Sequence, residues 1–302
     1  MALSADRRKY YVWRGLGTAL EMLPVQVAVR IAEVFGWVVA FRGSRTREIA
    51  EANLRQVVEL GSSESIDARV LRRWVRRYYA SYGRYWAEGA TLPAVDPGVI
   101  QSRIVLAEGA EVLREAMAAG KGVVVALPHV GSWEWGGALL AGIGFPMTAV
   151  AEKLEPAELF EWFVEKRNAI GLIITPLESG AGQVMLSTLR QGGLVGLLCD
   201  RDLTGDGIEV TMLDRPIMVP AGPATLALRT GATLLAGVVS SGPGNQHVAL
   251  LSDPIETERR GRLRSDVARV SQNLADAVSG LIRRSPEQWH VFSPAFDDEP
   301  AA

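Results

Sequence analysis

His129 and Glu134 are the side chains whose types and spacing could together move a proton, and both lie in the stretch Ala126-Leu127-Pro128-His129-Val130-Gly131-Ser132-Trp133-Glu134-Trp135. An imidazole titrates near neutrality and can take a proton from a hydroxyl as that hydroxyl attacks a carbonyl. A carboxylate on the other ring nitrogen would fix the tautomer and stabilise the imidazolium as it develops. No Ser or Cys nucleophile is needed if the attacking group is itself an alcohol. The chain has no G-x-S-x-G elbow, which favours direct transfer over a covalent intermediate.

The five-residue spacing restricts where such a pair can work. On one continuous helix the two side chains would point about 140° apart and could not touch. If a helix begins near Ser132, a good N-cap residue, His129 lies on the loop before it and Glu134 in its first turn. The pair is therefore expected to meet where the strand of residues 122–127 (GVVVAL) gives way, through Gly131, to a helix over Ser132–Ala141. Ligands of open α/β sheets gather at such strand ends. The backbone N–H groups near Ser132 are the expected oxyanion donors.

The flanking elements follow from the apolar spacing. A 3.6-residue period dominates to about residue 90, with helices expected over Arg45–Leu60 and Ser65–Trp86. Pro93 and Pro97 mark a break. Strands and helices then alternate. Strands are expected at Ser102–Leu106, Gly122–Leu127, Met147–Ala151, Leu172–Thr175, Val195–Cys199, Glu209–Met212, Thr233–Val239 and His247–Leu251. Between and after them the pattern predicts helices at Gly109–Ala119, Pro156–Ile170, Ala181–Arg190, Pro223–Arg229 and Arg264–Arg284, and a hairpin turn at Gly242–Asn245. The fold class is α/β: a mainly parallel central sheet flanked by helices, with an N-terminal helical subregion. We divide the chain into residues 1–92, helical and membrane-contacting, and residues 93–302, the α/β catalytic core.

Composition narrows the class of partner. Residues 1–90 carry 15 Lys+Arg against 9 Asp+Glu, and the remainder 17 against 25, within a net charge of −2. The basic part also holds the apolar stretch 19–41, interrupted by Pro24, Arg30 and Glu33. That stretch reads as a helix pair, either partly laid on a bilayer or an ordinary core pair. Arg72, Arg73, Arg76 and Arg77 could meet phosphates or only water. One cysteine, Cys199, excludes an internal disulfide and a cysteine-based zinc site. The polar, basic start Met1–Lys9 lacks a secretion signal, and the last few residues are the part expected to lack structure. No module for nucleic acid is present, and no glycine-rich nucleotide loop.

The block PHVGSWEWGG resembles the HX4D/E block of the bacterial lipid A biosynthesis (lauroyl/myristoyl) acyltransferase superfamily, with Ser132 where Asn is usual. Ala151-Glu152-Lys153-Leu154 followed by Arg167 is similar to that family's second block, and Gly196–Asp202 (GLLCDRD) to its acidic third block. Pro220–Ala224 resembles its P-x-G-x-A turn, and Pro286–Trp289 its terminal block. Together these blocks span nearly the whole chain. Cys199-Asp200-Arg201-Asp202 and Trp289-His290 with Pro294 look most like the actinobacterial phosphatidylinositol mannoside acyltransferases, although Glu134 follows the lipid A form where those usually carry Asp. The resemblance implies transfer of a long-chain, palmitoyl-type acyl group from acyl-CoA to a mannose 6-hydroxyl of a glycolipid. It also implies a peripheral protein on the cytoplasmic face of the inner membrane, with acyl-CoA as co-substrate and no further cofactor. Arg167 would hold an anionic or carbonyl group, and Asp200 or Asp202 would orient an acceptor hydroxyl or Arg167. Glu152 and Lys153, which follow a strand, and Trp133 are further substrate-binding candidates. Another lipid acceptor, a thioesterase using water and a non-enzymatic lipid-binding protein are the rival readings.

Overall fold

The computed structural model describes residues 5–60 and 65–296; the first four residues and the chain's last six, to which two of the expectations above refer, lie outside that range. In chain order the helices are α1 (Ala5–Glu21), α2 (Val25–Val39), α3 (Arg45–Glu59), α4 (Ala68–Thr91), α5 (Pro97–Arg103), α6 (Ala110–Ala118), α7 (Trp133–Gly142), α8 (Ala157–Ala169), α9 (Ala181–Arg190), α10 (Gly222–Thr230) and α11 (Leu263–Arg284). The strands are β1 (Ile104–Glu108), β2 (Val123–Leu127), β3 (Met147–Ala151), β4 (Ile173–Pro176), β5 (Leu194–Leu198), β6 (Ile208–Met212), β7 (Arg215–Val219), β8 (Thr233–Ser241) and β9 (His247–Leu251).

Strand β2 is buried at all five positions, as an apolar, β-branched run must be when a sheet is covered on both faces. The period of two divides it. Val124 and Ala126 pack with α9, α10 and α11 through Leu189, Ala227 and Val270. Val123, Val125 and Leu127 pack on the other face with α6 and α7 through Leu113, Ala116 and Leu140. The seven-stranded sheet runs β1-β9-β8-β2-β5-β3-β4. Its pairings are parallel except β8 with β9, which are joined by the short turn Pro243–Asn245 where the sequence predicts a hairpin. The α/β reading with a mainly parallel sheet is therefore correct.

Three elements go beyond the sequence reading. Helix α1 starts before the apolar stretch 19–41, which holds only the last residues of α1 and one full helix, α2, where a pair was expected. Strand β7 pairs with β6 as a separate antiparallel hairpin, turning through Leu213 and Asp214, both at positive φ. Helix α5 starts at Pro97, with Asp96 accepting the Gly98 N–H at 2.8 Å, where the prolines by themselves indicate only a break.

The N-terminal helices form a layer against this core. Arg30 and Glu33 pair on α2 at 3.0 Å, as their three-residue spacing implies. α2 lies directly on α4: a Cβ at Gly36 would stand 2.1 Å from the Tyr79 carbonyl oxygen, and one at Gly83 2.2 Å from that of Ala32. α4 is tied to the sheet by a buried ion network. Glu88 takes Arg84 Nε at 2.6 Å and lies 3.0 Å from His247 Nε2, while Arg84 donates to the Gly242 carbonyl. Among the described residues, no helix is long and apolar enough to cross a membrane.

Candidate active site

Strands β2 and β5 pair in parallel with Leu127 opposite Leu198. Two residues beyond each of these paired ends stands a side chain capable of proton chemistry, His129 after β2 and Asp200 after β5. The matched offset brings them together. His129 Nδ1 lies 2.6 Å from Asp200 Oδ1, and the His129 backbone N–H donates to Oδ2 at 2.8 Å. The Trp289 indole N–H donates to the same Oδ2 at 2.7 Å. Burial works to raise the Asp200 pKa, but the facing imidazole and these hydrogen bonds outweigh it and hold the carboxyl below its ordinary range. The Asp200 side chain has no exposure, whereas that of His129 keeps 23%. With Nδ1 on the carboxylate, Nε2 is the nitrogen left for a reacting hydroxyl.

The turn between β2 and α7 is held from two sides. Gly131 has φ +62, and a Cβ there would stand 2.1 Å from the Val239 carbonyl oxygen, so both its conformation and its space call for glycine. Its N–H donates to the Gln288 carbonyl at 2.9 Å, that of Ser132 to Val239 at 2.9 Å, and that of His290 to the His129 carbonyl at 2.7 Å. The N–H groups of Gly131 and Ser132 are thus spent on structure, so an oxyanion donor at this helix start would have to come from α7 itself. The first N–H groups of α7, from Trp133 on, have no partner within the helix itself. Ser132 occupies the N-cap position, but its side chain makes no capping bond, and its buried hydroxyl lacks a partner among the described residues.

The expected pairing of His129 with Glu134 is corrected by this geometry. α7 begins at Trp133, so its first turn carries Glu134 towards α4 and α8, where Oε1 accepts Tyr85 Oη at 3.1 Å and Arg167 at 3.2 Å. The carboxylate that meets the imidazole is Asp200. Burial opposes the Arg167 charge, but Glu134 and Tyr85 together outweigh it and raise its pKa. The guanidinium also lies over the Trp133 ring, 4.9 Å from its centroid. Burial, followed by the charge of Glu134, pushes the Tyr85 phenol well above its usual range. Asp202 belongs to neither cluster: it accepts the N–H groups of Thr204, Gly205 and Gly207 and closes its own loop. Asp200 thus orients His129 rather than Arg167. Glu152 and Lys153 are exposed beyond β3, with Lys153 paired to Glu178.

Glu134, Tyr85 and Arg167, with Lys166 and Thr46, are polar residues in the lining of a cavity of about 650 Å³. Its remaining walls are mostly apolar and come from α1, α2, α4 and α8, including Leu16, Leu20, Phe35, Trp86 and Phe163. Glu134 Oε2 is buried without a hydrogen-bond partner among the described residues. Sequence reasoning misses Tyr85 and the cavity itself, and it reaches Trp289 only as part of the terminal block. The run of Tyr82, Tyr85 and Trp86 near the end of α4 is the signal that could have pointed to the cavity.

The chain is similar to known proteins along nearly its full length. The sequence profile of the bacterial lipid A biosynthesis acyltransferases matches residues 4–297. A phosphatidylinositol mannoside acyltransferase of Mycolicibacterium smegmatis is 34% identical over 223 residues, covering 73% of this chain and 71% of that protein. One of Mycobacterium tuberculosis is 35% identical over 221 residues, covering 71% and 67% respectively.

Proposed function

As a member of the bacterial lipid A biosynthesis acyltransferase family the chain is a lipid acyltransferase, and we propose that it moves a long-chain, palmitoyl-type acyl group from acyl-CoA to a mannose 6-hydroxyl of phosphatidylinositol mannoside. The observation that carries the chemistry is the buried Asp200 carboxylate on Nδ1 of a partly exposed His129, which leaves Nε2 to act as the base. Nε2 takes the hydroxyl proton while the oxygen attacks the thioester carbonyl. The C–O bond forms, the C–S bond breaks, and the imidazolium returns its proton to the departing thiolate of CoA. A base of this kind contributes typically about 10²–10⁴-fold. Acyl-CoA is a co-substrate and no other cofactor enters. The cavity that Glu134 helps to line, of the size usual for ligand pockets, is the compartment for the acyl chain. The names of the mycobacterial relatives supply the acceptor class.

The same reading makes the protein a peripheral one on the cytoplasmic face of the inner membrane. Its support is the apolar surface of α2: Ile31, Val34, Phe35, Trp37 and Val38 are exposed, with Arg76 over the rings of Phe41 and Trp37 at their edge. An apolar face beside basic side chains suits an anionic bilayer. Flotation with anionic vesicles should recover the protein, and Val34→Glu, at a side chain outside the cavity lining, should weaken that recovery. Activity is tested by incubating purified protein with labelled palmitoyl-CoA and, separately, a mannosylated phosphoinositide, a lipid A precursor and a glycerolipid. Mass spectrometry should find a palmitoylated mannoside. Acylation of a different acceptor overturns the mannose assignment, and hydrolysis that no acceptor stimulates overturns acyl transfer itself.

A further inference from the structure

The three hydrogen bonds on Asp200 do not all come from the catalytic loop. One is the indole N–H of Trp289, from the segment after α11, and that segment is fastened to the loop at several points. Gln288 supplies the carbonyl that takes the Gly131 N–H, and His290 donates its N–H to His129. The Gln288 side chain locks the segment to β8 by accepting the Ser241 N–H at 2.7 Å and donating to the Ser241 carbonyl at 2.8 Å. Trp289 is 1% exposed, so the direction of its N–H is set by its packing.

An indole can donate but not accept. A carboxylate can pivot about its terminal torsion, which is broad and weakly restrained. Asp200 Oδ2 receives two donors, the Trp289 ring at 2.7 Å and the His129 backbone at 2.8 Å. With Oδ2 fastened twice, the carboxylate plane is fixed and Oδ1 is turned to His129 Nδ1. Packing alone would be served by any ring of this size among Val130, Val291 and Phe296, whereas the bond needs the N–H. We propose that Trp289 is a positioning residue for acyl transfer, its indole N–H holding Asp200 in the orientation that grips the His129 ring. This rests on His129 being the base. The other titratable groups around the clasp are His290 from the same segment, which feels the charge of His129, and Tyr78 from α4 and Cys199 just beyond β5, which feel that of Asp200.

The test compares wild type with Trp289→Phe and with a variant carrying 3-benzothienylalanine at position 289, which keeps the bicycle but replaces the N–H with sulfur. His129→Ala runs alongside, with palmitoyl-CoA and a mannosylated phosphoinositide as substrates. Loss of one outer partner should lower kcat about 10- to 100-fold, while KM for both substrates changes less than about threefold and the far-downfield Nδ1 proton signal of His129 shifts or broadens by NMR. If the benzothienyl protein keeps wild-type kcat and an unchanged Nδ1 signal, Trp289 serves packing alone and the inference fails. Activity surviving in His129→Ala would instead overturn the base assignment beneath it, so the two failures are distinguishable.

Discussion

Asp200 and Glu134 are both buried carboxylates in reach of the same strand-to-helix turn, yet their partners differ in kind. Asp200 faces an imidazole that becomes a cation only when it takes a proton. Glu134 faces Arg167, charged at all times, with the Tyr85 hydroxyl beside it. A carboxylate neutralised permanently cannot reward the arrival of a proton, because its electrostatic interaction is already made. One whose counter-charge appears during the reaction stabilises that step selectively, which is what lowers a barrier. Asp200 is thus equipped to assist proton transfer, and Glu134 to brace the cavity wall.

The largest expected effects fall on the Asp200 side. His129→Ala should cut transfer by about 10³-fold or more, and Asp200→Asn by about 10²–10³-fold, since an amide donor facing Nδ1 selects the wrong tautomer. Initial rates with labelled acyl-CoA and acceptor measure both. Glu134→Gln should behave differently. It strands a mostly buried guanidinium and is expected to cost about 3 kcal/mol in urea unfolding, while the folded fraction keeps kcat within about tenfold. A well-folded Glu134→Gln protein as inactive as Asp200→Asn would abolish the contrast. On the cavity side, Gly89 lines the wall, and a Cβ added there would meet no atom within 4 Å. Gly89→Leu should therefore shorten the preferred acyl chain, shifting the ratio of kcat/KM for palmitoyl- over lauroyl-CoA at least about tenfold; an unchanged ratio would move the acyl chain elsewhere.

Acidity is expected to act on folding stability rather than on turnover. Burial, with the charge of His129 second, lowers the His290 pKa to about 3. The unfolded chain then binds a proton there that the folded chain refuses, so stability falls as pH drops from about 6.5 towards 3, by about 1.4 kcal/mol per unit. His290→Gln should flatten that part of a urea-stability profile. An identical slope in the variant would assign the acid sensitivity to another group.

Much of this is legible from residues alone. The run GVVVAL, the Gly131 turn and the spacing of α7 to α11 place nearly every element and the catalytic loop, because apolar period and turn chemistry are local properties. The partner of His129 is not local. Asp200 lies 71 residues on, and its proximity depends on β5 being the neighbour of β2, an adjacency that strand order along the chain does not dictate. The clue present is the equal offset of His129 and Asp200 beyond two apolar strands. Strand β7 escapes notice because its hairpin turns on Leu213-Asp214 instead of the Asn-Gly pair that two positive φ values usually demand. Helix α5 escapes because Asp96-Pro97 is equally a helix start and a break.

The coupling between His129 and Asp200 is the most direct quantity to measure. A double-mutant cycle of kcat, using His129→Ala, Asp200→Asn and the protein carrying both, should show the double variant no slower than His129→Ala, because an acid that acts through the imidazole has nothing to do once the ring is gone. Losses that multiply would mean that the two groups work independently, and the clasp at the strand ends would not be the base that drives transfer.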